Sequence, residues 1–359
     1  MQTQFNKISF EGQNVFIGID VHLKSWKVTV MTENNLQKTF SQNPNAETLR
    51  NYLDNNFPKG KYKSAYEAGF CGFSVHRSLE QFGIENIVVS PADIPTTDKE
   101  RKQKEDGRDS RKIARSLKNG ELKGIYIPTQ AVEELRSLVR YRKTLVKEIS
   151  RHKIRLKSFL YCNGVIIPEL QQQASRYWSG SFTSWLLTIN FTTEYNKSVL
   201  QGTLSTVKHL KGELLTVYRL LRQIERDSPY SSKIKLLRSV PGIGLIVAVT
   251  LLSELGNFGR FKNFDQLCSF VGLVPRTNSS GENEKVGRIT QRANKQLRNI
   301  LVESAWVASR TDPVLSMCYL ELIKRMKPTE AIVRIAKKLL NRIRYVMNNE
   351  KEYVQSVVQ

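Results

Sequence analysis

Four acidic residues stand where carboxylates could bind divalent cations. Asp20 ends an apolar run, residues 15–19, that is typical of a strand buried on both faces. Glu67 ends a second, shorter predicted strand, while Asp106 and Asp109 are three residues apart at a predicted helix start, so both can face one way. The alternatives are structural, because an Asp after a strand can cap a turn and acidic residues are favoured at helix N-termini.

Such a set would favour magnesium or manganese. Packing four carboxylates together is costly unless cations neutralise them, and two Mg²⁺ ions about 3.5–4 Å apart serve phosphodiester chemistry. The four Cys show no C-x-x-C spacing and the four His are scattered along the chain. The sequence therefore predicts a site for Mg²⁺ or Mn²⁺, with two ions, rather than a zinc site.

A serine pair supplies candidate nucleophiles. Ser279 and Ser280 precede Gly281 in a polar stretch that we predict to be a loop. A serine hydroxyl attacks phosphorus when a base or metal activates it and cations hold the phosphate. No His is near in sequence, so activation would come from elsewhere in the fold. The alternative is an ordinary loop without chemistry.

The charge of the chain points to a polyanionic partner. The 359 residues contain 56 Lys and Arg against 33 Asp and Glu, which gives a formal net charge of +23. This excess is larger than solubility requires, and nucleic acid is the first partner to consider. A merely basic soluble protein is the alternative.

Two basic faces and one glycine turn are predicted to contact nucleic acid. The sequence Val-Pro-Gly-Ile-Gly at 240–244 predicts a turn between helices, and its N–H groups at Gly242 and Gly244 would point at a phosphate. A tight structural turn is the alternative. The first basic face lies on a long predicted helix at Arg140, Lys143, Lys147 and Arg151. The second comprises Arg276 and a stripe at helical spacing formed by Arg288, Arg292, Lys295 and Arg298.

The elements that would position these residues indicate an α/β fold joined to an all-α part. Three strands followed by alternating helix and strand predict a mixed sheet. Long amphipathic patterns over 132–160 and 200–226 predict an antiparallel helix pair or coiled coil, whose apolar stripes are core or dimer seam. We predict strands at 16–20, 25–31, 36–40, 63–67 and 85–90, and helices at 46–56, 72–82 and 107–118.

Three domains follow from this pattern: 1–128, 129–232 and an all-helical basic domain at 233–359. Residues 1–13 are polar and do not form a signal peptide. No apolar run is long enough to span a bilayer. The sequence therefore predicts a cytoplasmic protein without membrane contact.

An ordered set of motifs carries a family resemblance over nearly the whole chain. The N-terminal part contains Gly18-Ile19-Asp20, Tyr66-Glu67-Ala68-Gly69 and Lys104-Glu105-Asp106-Gly107-Arg108-Asp109. The C-terminal part contains Pro241-Gly242-Ile243-Gly244, Glu254-Leu255-Gly256, Gly272-Leu273-Val274-Pro275-Arg276, Ser280-Gly281 and Leu297-Arg298. In this order the chain resembles the DEDD transposases of the insertion-sequence "one-ten" family, which includes the Piv-type invertases.

The resemblance implies a RuvC-like (ribonuclease H-type) domain, a coiled-coil connector and a helical transposase domain. It implies Asp20, Glu67, Asp106 and Asp109 as the metal-binding tetrad. It also implies a nucleophilic serine, which maps onto Ser280 with Ser279 as the adjacent alternative. Implied partners are DNA, a structured guide RNA and further copies of the chain in a dimer or tetramer, in a bacterial, nucleoid-associated setting.

The chain departs from the family pattern at three places. Glu105 stands where Thr is usual, Ser110 stands where Ala is usual, and a Gly is missing after the basic residue at 292. Glu105 would add a fifth carboxylate near the metal site. None of these changes removes a predicted catalytic group.

The function we expect is DNA recombination through a covalent phosphoserine intermediate. A RuvC-like nuclease or junction resolvase that uses water is the main alternative, and it needs the carboxylates but not Ser280. An actin-type ATPase also opens with a Gly-Ile-Asp strand, but residues 21–25 lack the glycines of its phosphate loop. A nucleic-acid-binding protein without catalysis is the fourth alternative.

Overall fold

The computed structural model describes residues 9–34, 36–95, 106–173, 177–280, 283–291 and 293–355. Within these ranges the side chains at 106–108, 277–280, 283–286 and 288 lie outside the description. The chain divides into two compact units, Met1–Ile127 and Pro128–Gln359, which we call the first and the second unit. In the described ranges no helix combines the length and apolarity needed to cross a bilayer.

The first unit is built on one mixed five-stranded sheet. Its strands are β1 (Asn14–Val21), β2 (Trp26–Thr32), β3 (Gln37–Gln42), β4 (Lys61–Glu67) and β5 (Glu85–Val89). They lie in the order β3-β2-β1-β4-β5. The pairs β3-β2 and β2-β1 are antiparallel, whereas β1-β4 and β4-β5 are parallel. The predicted mixed α/β sheet is therefore confirmed.

Helices cover both faces of this sheet. Val15, Ile17 and Ile19 alternate along β1 and are buried on one face. They share a core with residues of α1 (Ala46–Asn56) and α2 (Ser74–Gln81). Helix α3 (Asp106–Lys118) contributes Ile113 to a second, smaller cluster around Ala65 of β4. β1 is thus buried on both sides, which explains its continuous apolar sequence.

The second unit begins with two long helices. They are α4 (Gln130–Cys162) and α7 (Glu194–Asp227), with the short helices α5 (Glu169–Gln172) and α6 (Gly180–Leu187) between them. Leu135 and Val139 of α4 share a core with Leu221 of α7, whereas Leu160 shares a different cluster with Leu200. The two helices therefore run in opposite directions, as the sequence predicts.

The remainder of the second unit packs on this helix pair. It contains α8 (Ser231–Arg238), α9 (Leu245–Leu255), α10 (Phe264–Val271), α11 (Lys295–Thr311), α12 (Pro313–Ile323) and α13 (Pro328–Asn349). Residues of these helices and of α4 and α7 form one hydrophobic core. The predicted boundary at 128 lies beside the division between the units, and the boundary at 232/233 stays a prediction.

The expectation of an all-helical C-terminal domain is wrong. Residues Pro275–Ser280 form β6 and Asn283–Ile289 form β7, which pair as an antiparallel hairpin. The stretch that we predicted to be a loop is thus a strand. The pattern concealed it because its polar side chains give no apolar alternation, which is the signal of a half-buried strand.

A buried aspartate fixes the C-terminal end of the described chain. Asp312 is the N-cap of α12 and accepts hydrogen bonds from Leu315 N–H (2.8 Å), Arg342 Nη1 (2.6 Å) and Tyr353 Oη (2.8 Å). Burial by itself would raise the pKa of Asp312, but these donors and the Arg342 charge outweigh it and lower the pKa below its ordinary value. Burial and the bond to Asp312 raise the pKa of Tyr353 to about 12.

We expect Asp312→Asn to cost about 3 kcal/mol of unfolding free energy at pH 7, because Arg342 is left without its counter-charge. Because the pKa of Asp312 is lowered in the folded state, its ionised carboxylate stabilises the fold at pH values above the unfolded-state pKa. This contribution is lost as the pH falls through the folded-state pKa. The difference from wild type should therefore shrink below about pH 4. Urea unfolding at pH 7 and pH 3 measures it. Asp227→Asn, at an exposed residue, is the matched control, and an equal loss in both variants would contradict the assignment.

Candidate functional site

Asp20 and Glu67 lie at the same edge of the first unit's sheet. β1 and β4 are parallel neighbours in which Ile19 pairs with Tyr66, so the next residue on each strand is the carboxylate. Side chains one step beyond a register pair point to the same face. Gly18 and Ala65 form the preceding pair on that face, and α3 covers it. The topology therefore brings two of the four predicted ligands together.

Asp20 also contacts a residue that no sequence pattern singled out. His22 Nε2 lies 3.1 Å from Asp20 Oδ2. The side chain of Asp20 is 21% exposed and that of His22 is 52% exposed, so the carboxylate is the more enclosed partner. The sequence contained one signal for this contact, the separation of Asp20 and His22 by two residues, because residues i and i+2 of an extended segment share a face.

The absence of a side chain at Gly18 lets α3 lie directly on β1. A Cβ atom at Gly18 would stand 2.1 Å from the carbonyl oxygen of Ser110 and 2.4 Å from the amide nitrogen of Ala114. Real Cβ atoms do not approach backbone this closely. Gly18 thus sets the distance between strand and helix.

A chain of hydroxyl groups fixes the start of α3 against the sheet. Ser110 Oγ lies 2.9 Å from Thr29 Oγ1, which lies 3.0 Å from Thr39 Oγ1. Thr29 is the β2 partner of Gly18, and the side chains of Thr29 and Ser110 are buried. The unusual serine at 110 therefore has a structural account, because its hydroxyl satisfies a buried threonine.

The direction of α3 places its N-terminus at the carboxylate edge. Near its end, Lys118 Nζ donates to the carbonyl oxygen of Glu33 (3.0 Å), and Glu33 accepts from Asn14 at the start of β1. Near its beginning, Ser110 lies over Gly18. The helix runs antiparallel to β1, so its first turn, which carries Asp109, lies towards the end of β1 that carries Asp20.

These carboxylates suit a divalent cation in donor chemistry. Asp20, Glu67 and Asp109 offer hard oxygen atoms, the ligands that Mg²⁺ and Mn²⁺ prefer. In the part of the chain whose side chains are described, no group of three or more Asp, Glu, His or Cys residues could hold a metal ion. Asp20, Glu67 and Asp109 by themselves therefore do not form such a group in this structure. Asp106 and Glu105 lie outside the described side chains, so the full tetrad stays a prediction.

The predicted nucleophile lies on the hairpin of the second unit. Ser280 is the last residue of β6 and pairs with Asn283, while Ser279 pairs with Glu284. The serines thus stand at the C-terminal end of β6 rather than in a loop. Their side chains lie outside the described part of the chain.

A buried carboxylate occupies part of the first predicted basic face. The side chain of Glu254 is 4% exposed. Its two carboxylate oxygens accept hydrogen bonds from Arg140 Nε (2.9 Å) and Arg140 Nη2 (3.1 Å). Asn294 Nδ2 donates to the same carboxylate at 3.0 Å. Glu254 of α9 is therefore bound to α4 through Arg140 and to the N-cap of α11 through Asn294. An acid inside the apolar run 245–255 was the signal for this role.

Other members of the two faces have different surroundings. Lys143 Nζ donates to Gln296 Oε1 (3.0 Å), and burial, reinforced by the charge of Lys147, lowers the pKa of Lys143. Arg151 pairs with Glu148 at 2.7 Å on the surface of α4. Arg298 Nη1 donates to the carbonyl oxygen of Thr290 at 2.6 Å. Arg298 thus anchors the chain that leads into α11.

The predicted helical stripe is wrong as a single helical face. Arg288 belongs to β7, whereas Lys295 and Arg298 belong to α11. Arg292 lies outside the described residues. Arg276 is exposed at the start of β6, and Lys295 is exposed at the start of α11.

The two glycines of the turn have different roles. Gly242 has φ +82°, and a Cβ there would stand 2.4 Å from the carbonyl oxygen of Ser304 and 3.1 Å from the amide nitrogen of Ala308. Gly242 therefore packs tightly against α11. Gly244 is the N-cap of α9, and no described atom lies within 4 Å of a Cβ placed there. Of the two glycines, Gly244 is the one with open space for a ligand.

Comparisons with known proteins agree over both units. The transposase IS116/IS110/IS902 family profile matches residues 234–320, and a DEDD transposase profile of the IS110 type matches residues 17–162. The chain is 33% identical to protein y4qE of Sinorhizobium fredii, named as a candidate transposase, over 67% of this chain and 57% of that protein. It is 27% identical to the transposase for insertion sequence element IS1533 of Leptospira borgpetersenii, over 82% of this chain and 85% of that protein.

We expect Gly18→Ala to destabilise the first unit by about 3 kcal/mol or more, because the new methyl group displaces α3. Hydrogen exchange at the α3 amides of the full chain measures this, with faster exchange expected. Gly69→Ala is the matched control, since the nearest atom to its Cβ would be 3.8 Å away. Unchanged exchange in Gly18→Ala would show that α3 does not depend on this contact.

Gly242→Ala should cost roughly 2–4 kcal/mol, because it combines a left-handed backbone with a clash against α11. Gly244→Ser should leave the melting temperature equal or higher, since serine is a favourable N-cap. Thermal unfolding followed by circular dichroism compares the two. Similar melting temperatures for both variants would refute the separate roles.

Proposed function

The chain belongs to the IS116/IS110/IS902 family of insertion-sequence transposases, a family of DNA-cleaving and rejoining enzymes, and from this premise we propose that it cuts and rejoins DNA through a covalent phosphoserine intermediate. The observation that carries the proposal is the shared sheet edge of Asp20 and Glu67, towards which the first turn of α3 is directed. The two family profiles together cover this edge and the serine hairpin.

The proposed fold of the first unit is the RuvC-like, ribonuclease H-type fold. The strand order β3-β2-β1-β4-β5, with an antiparallel half and a parallel half, supports it. The antiparallel pair α4 and α7 supports the proposed coiled-coil connector. Carboxylates at strand ends are held rigidly by the sheet, as a catalytic metal site requires.

We assign Asp20, Glu67, Asp106 and Asp109 as the residues that would hold Mg²⁺ or Mn²⁺. A bound divalent ion supplies charge stabilisation to a phosphoryl group and lowers the pKa of an oxygen nucleophile. His22 contacts Asp20 and orients its carboxylate. Thr29 and Ser110 hold the helix that carries Asp109.

The proposed reaction is transesterification. Ser280 Oγ loses its proton and bonds to phosphorus, while the bond from phosphorus to the leaving deoxyribose oxygen breaks and that oxygen takes up a proton. Attack by a hydroxyl of the second DNA end reverses these steps and frees Ser280. The phosphoserine ester retains the energy of the phosphodiester bond, so no nucleotide cofactor is needed.

The proposed partners are element-end and target DNA, a structured guide RNA, and further copies of the chain, in the bacterial cytoplasm. The formal net charge of +23 supports a nucleic-acid partner. Lys147, Arg276 and Lys295 are exposed cations of the predicted set that remain suited to phosphate contact.

We expect Ser280→Ala to abolish a DNA–protein adduct, because the hydroxyl that forms the ester is missing. The full chain, co-expressed with RNA from its flanking region, is mixed with labelled element-end DNA and Mg²⁺ and run on a denaturing gel. Asp20→Ala should also lose the adduct, since a metal ligand is removed.

Ser279→Ala is the matched control and should retain the adduct. Loss of the adduct in Ser279→Ala alone would move the nucleophile by one residue. Cleaved DNA ends without any adduct, unaffected by Ser280→Ala, would instead establish a nuclease that uses water.

A further inference from the structure

A basic cleft lies in the second unit, between the C-terminal half of α7 and the start of α9. Its volume is about 690 Å³. The walls contain three arginines, Arg219, Arg222 and Arg238, together with Gly244 and the apolar residues that follow it. Arg219 and Arg222 belong to neither basic face that the sequence predicted.

Two of the three arginines make no ion pair with a described residue. Arg238 pairs with Glu225, which also lines the cleft. Arg219 and Arg222 are exposed. Neither guanidinium group forms a hydrogen bond or an ion pair with a described side chain. They are three residues apart on α7, so they can face the same ligand. The cleft thus carries a net positive charge.

The floor of the cleft is open to a ligand at Gly244. No described atom stands within 4 Å of a Cβ at this residue, so this part of the protein leaves the first turn of α9 uncovered. Its N–H groups add partial positive charge to that of the arginines. The arginines, and not the helix end alone, define the site.

An aromatic and apolar wall completes the cleft. Tyr218, Leu245 and Val247 line it. Arg142 lies 5.4 Å from the Tyr218 ring centroid and its Nη2 donates to Tyr218 Oη at 3.0 Å. Tyr218 is therefore fixed, with a further cation behind it. Cations beside a rigid apolar wall suit a phosphate backbone whose sugars and bases contact the wall.

We propose that this cleft binds the phosphodiester backbone of nucleic acid, with Arg219 and Arg222 as phosphate contacts. The proposal rests on the proposed function only in taking nucleic acid as the partner. DNA and RNA offer the same phosphate chemistry, so both are probes. An acidic protein segment is the competing occupant, and it predicts no effect of cleft substitutions on nucleic-acid affinity.

The first test removes the two unpaired charges. Arg219→Gln/Arg222→Gln should weaken binding of the full chain to a labelled 30-base-pair duplex or to an RNA hairpin of equal length, measured by fluorescence anisotropy in EDTA. Because two phosphates are then no longer neutralised, the slope of log affinity against log salt should become shallower by about 1 to 2. A Lys208→Gln/Lys211→Gln double variant removes the same charge from exposed residues of α7 roughly 16 Å further along the helix.

The second test adds a charge without disturbing the fold. Gly244→Asp and Gly244→Ser both supply an N-cap oxygen, so both should melt at or above the wild-type temperature. Gly244→Asp places a carboxylate in the cleft and should weaken binding at least fivefold, and clearly more than the uncharged side chain of Gly244→Ser does.

Selective weakening by the cleft variants with either probe supports the proposal, and the probe affected identifies the nucleic acid. Equal weakening by the Lys208/Lys211 control, or no weakening with both probes, overturns it. Because the assay contains no metal and needs no cleavage, its outcome does not depend on whether the proposed metal site and nucleophile are correct. A failure of the proposed chemistry is therefore distinguishable from a failure of this inference.

Discussion

The contact between α3 and β1 at Gly18 is the constraint on which the arrangement of the first unit depends. Helix backbone lies where a side chain would otherwise stand, with Ser110 and Ala114 against the glycine. A close-packed interior has no spare room at such a contact, so the helix either lies directly on the strand or is displaced from it. Close approach is what brings the first turn of α3 towards the strand ends that carry Asp20 and Glu67.

The second unit is organised around a carboxylate, although the chain as a whole is strongly basic. Glu254 is buried and receives Arg140 from α4 and Asn294 from the start of α11. Arg136 adds a bond to the carbonyl oxygen of Ser253, at 2.9 Å. Breaking a buried pair by removing one partner leaves an uncompensated charge, which is strongly destabilising. These contacts explain why some arginines of a strongly basic chain serve its own fold.

Basic residues therefore divide into two groups that a sequence does not distinguish. Arg140 is bound to Glu254, and Arg298 is bound to the carbonyl oxygen of Thr290. Arg219 and Arg222 are exposed and line the cleft beside Gly244. The glycine turn divides in the same way, since Gly242 contacts α11 while Gly244 faces open space. Whether each of these arginines and glycines is enclosed or exposed depends on which element, distant in the chain, packs against it.

The sequence by itself determined the order of the elements in the first unit and the position of the long helices in the second. The apolar pattern predicted the five strands of the first unit and the long helices, because periodicity is a local property. The acids at the ends of β1 and β4, and the motif order, were likewise readable without a structure. The tertiary structure decided the rest: the close packing at Gly18, the burial of Glu254, the pairing of the polar hairpin that carries Ser280, and the cleft at Arg219. These features arise from contacts between residues far apart in the chain, and no local pattern records which partners meet.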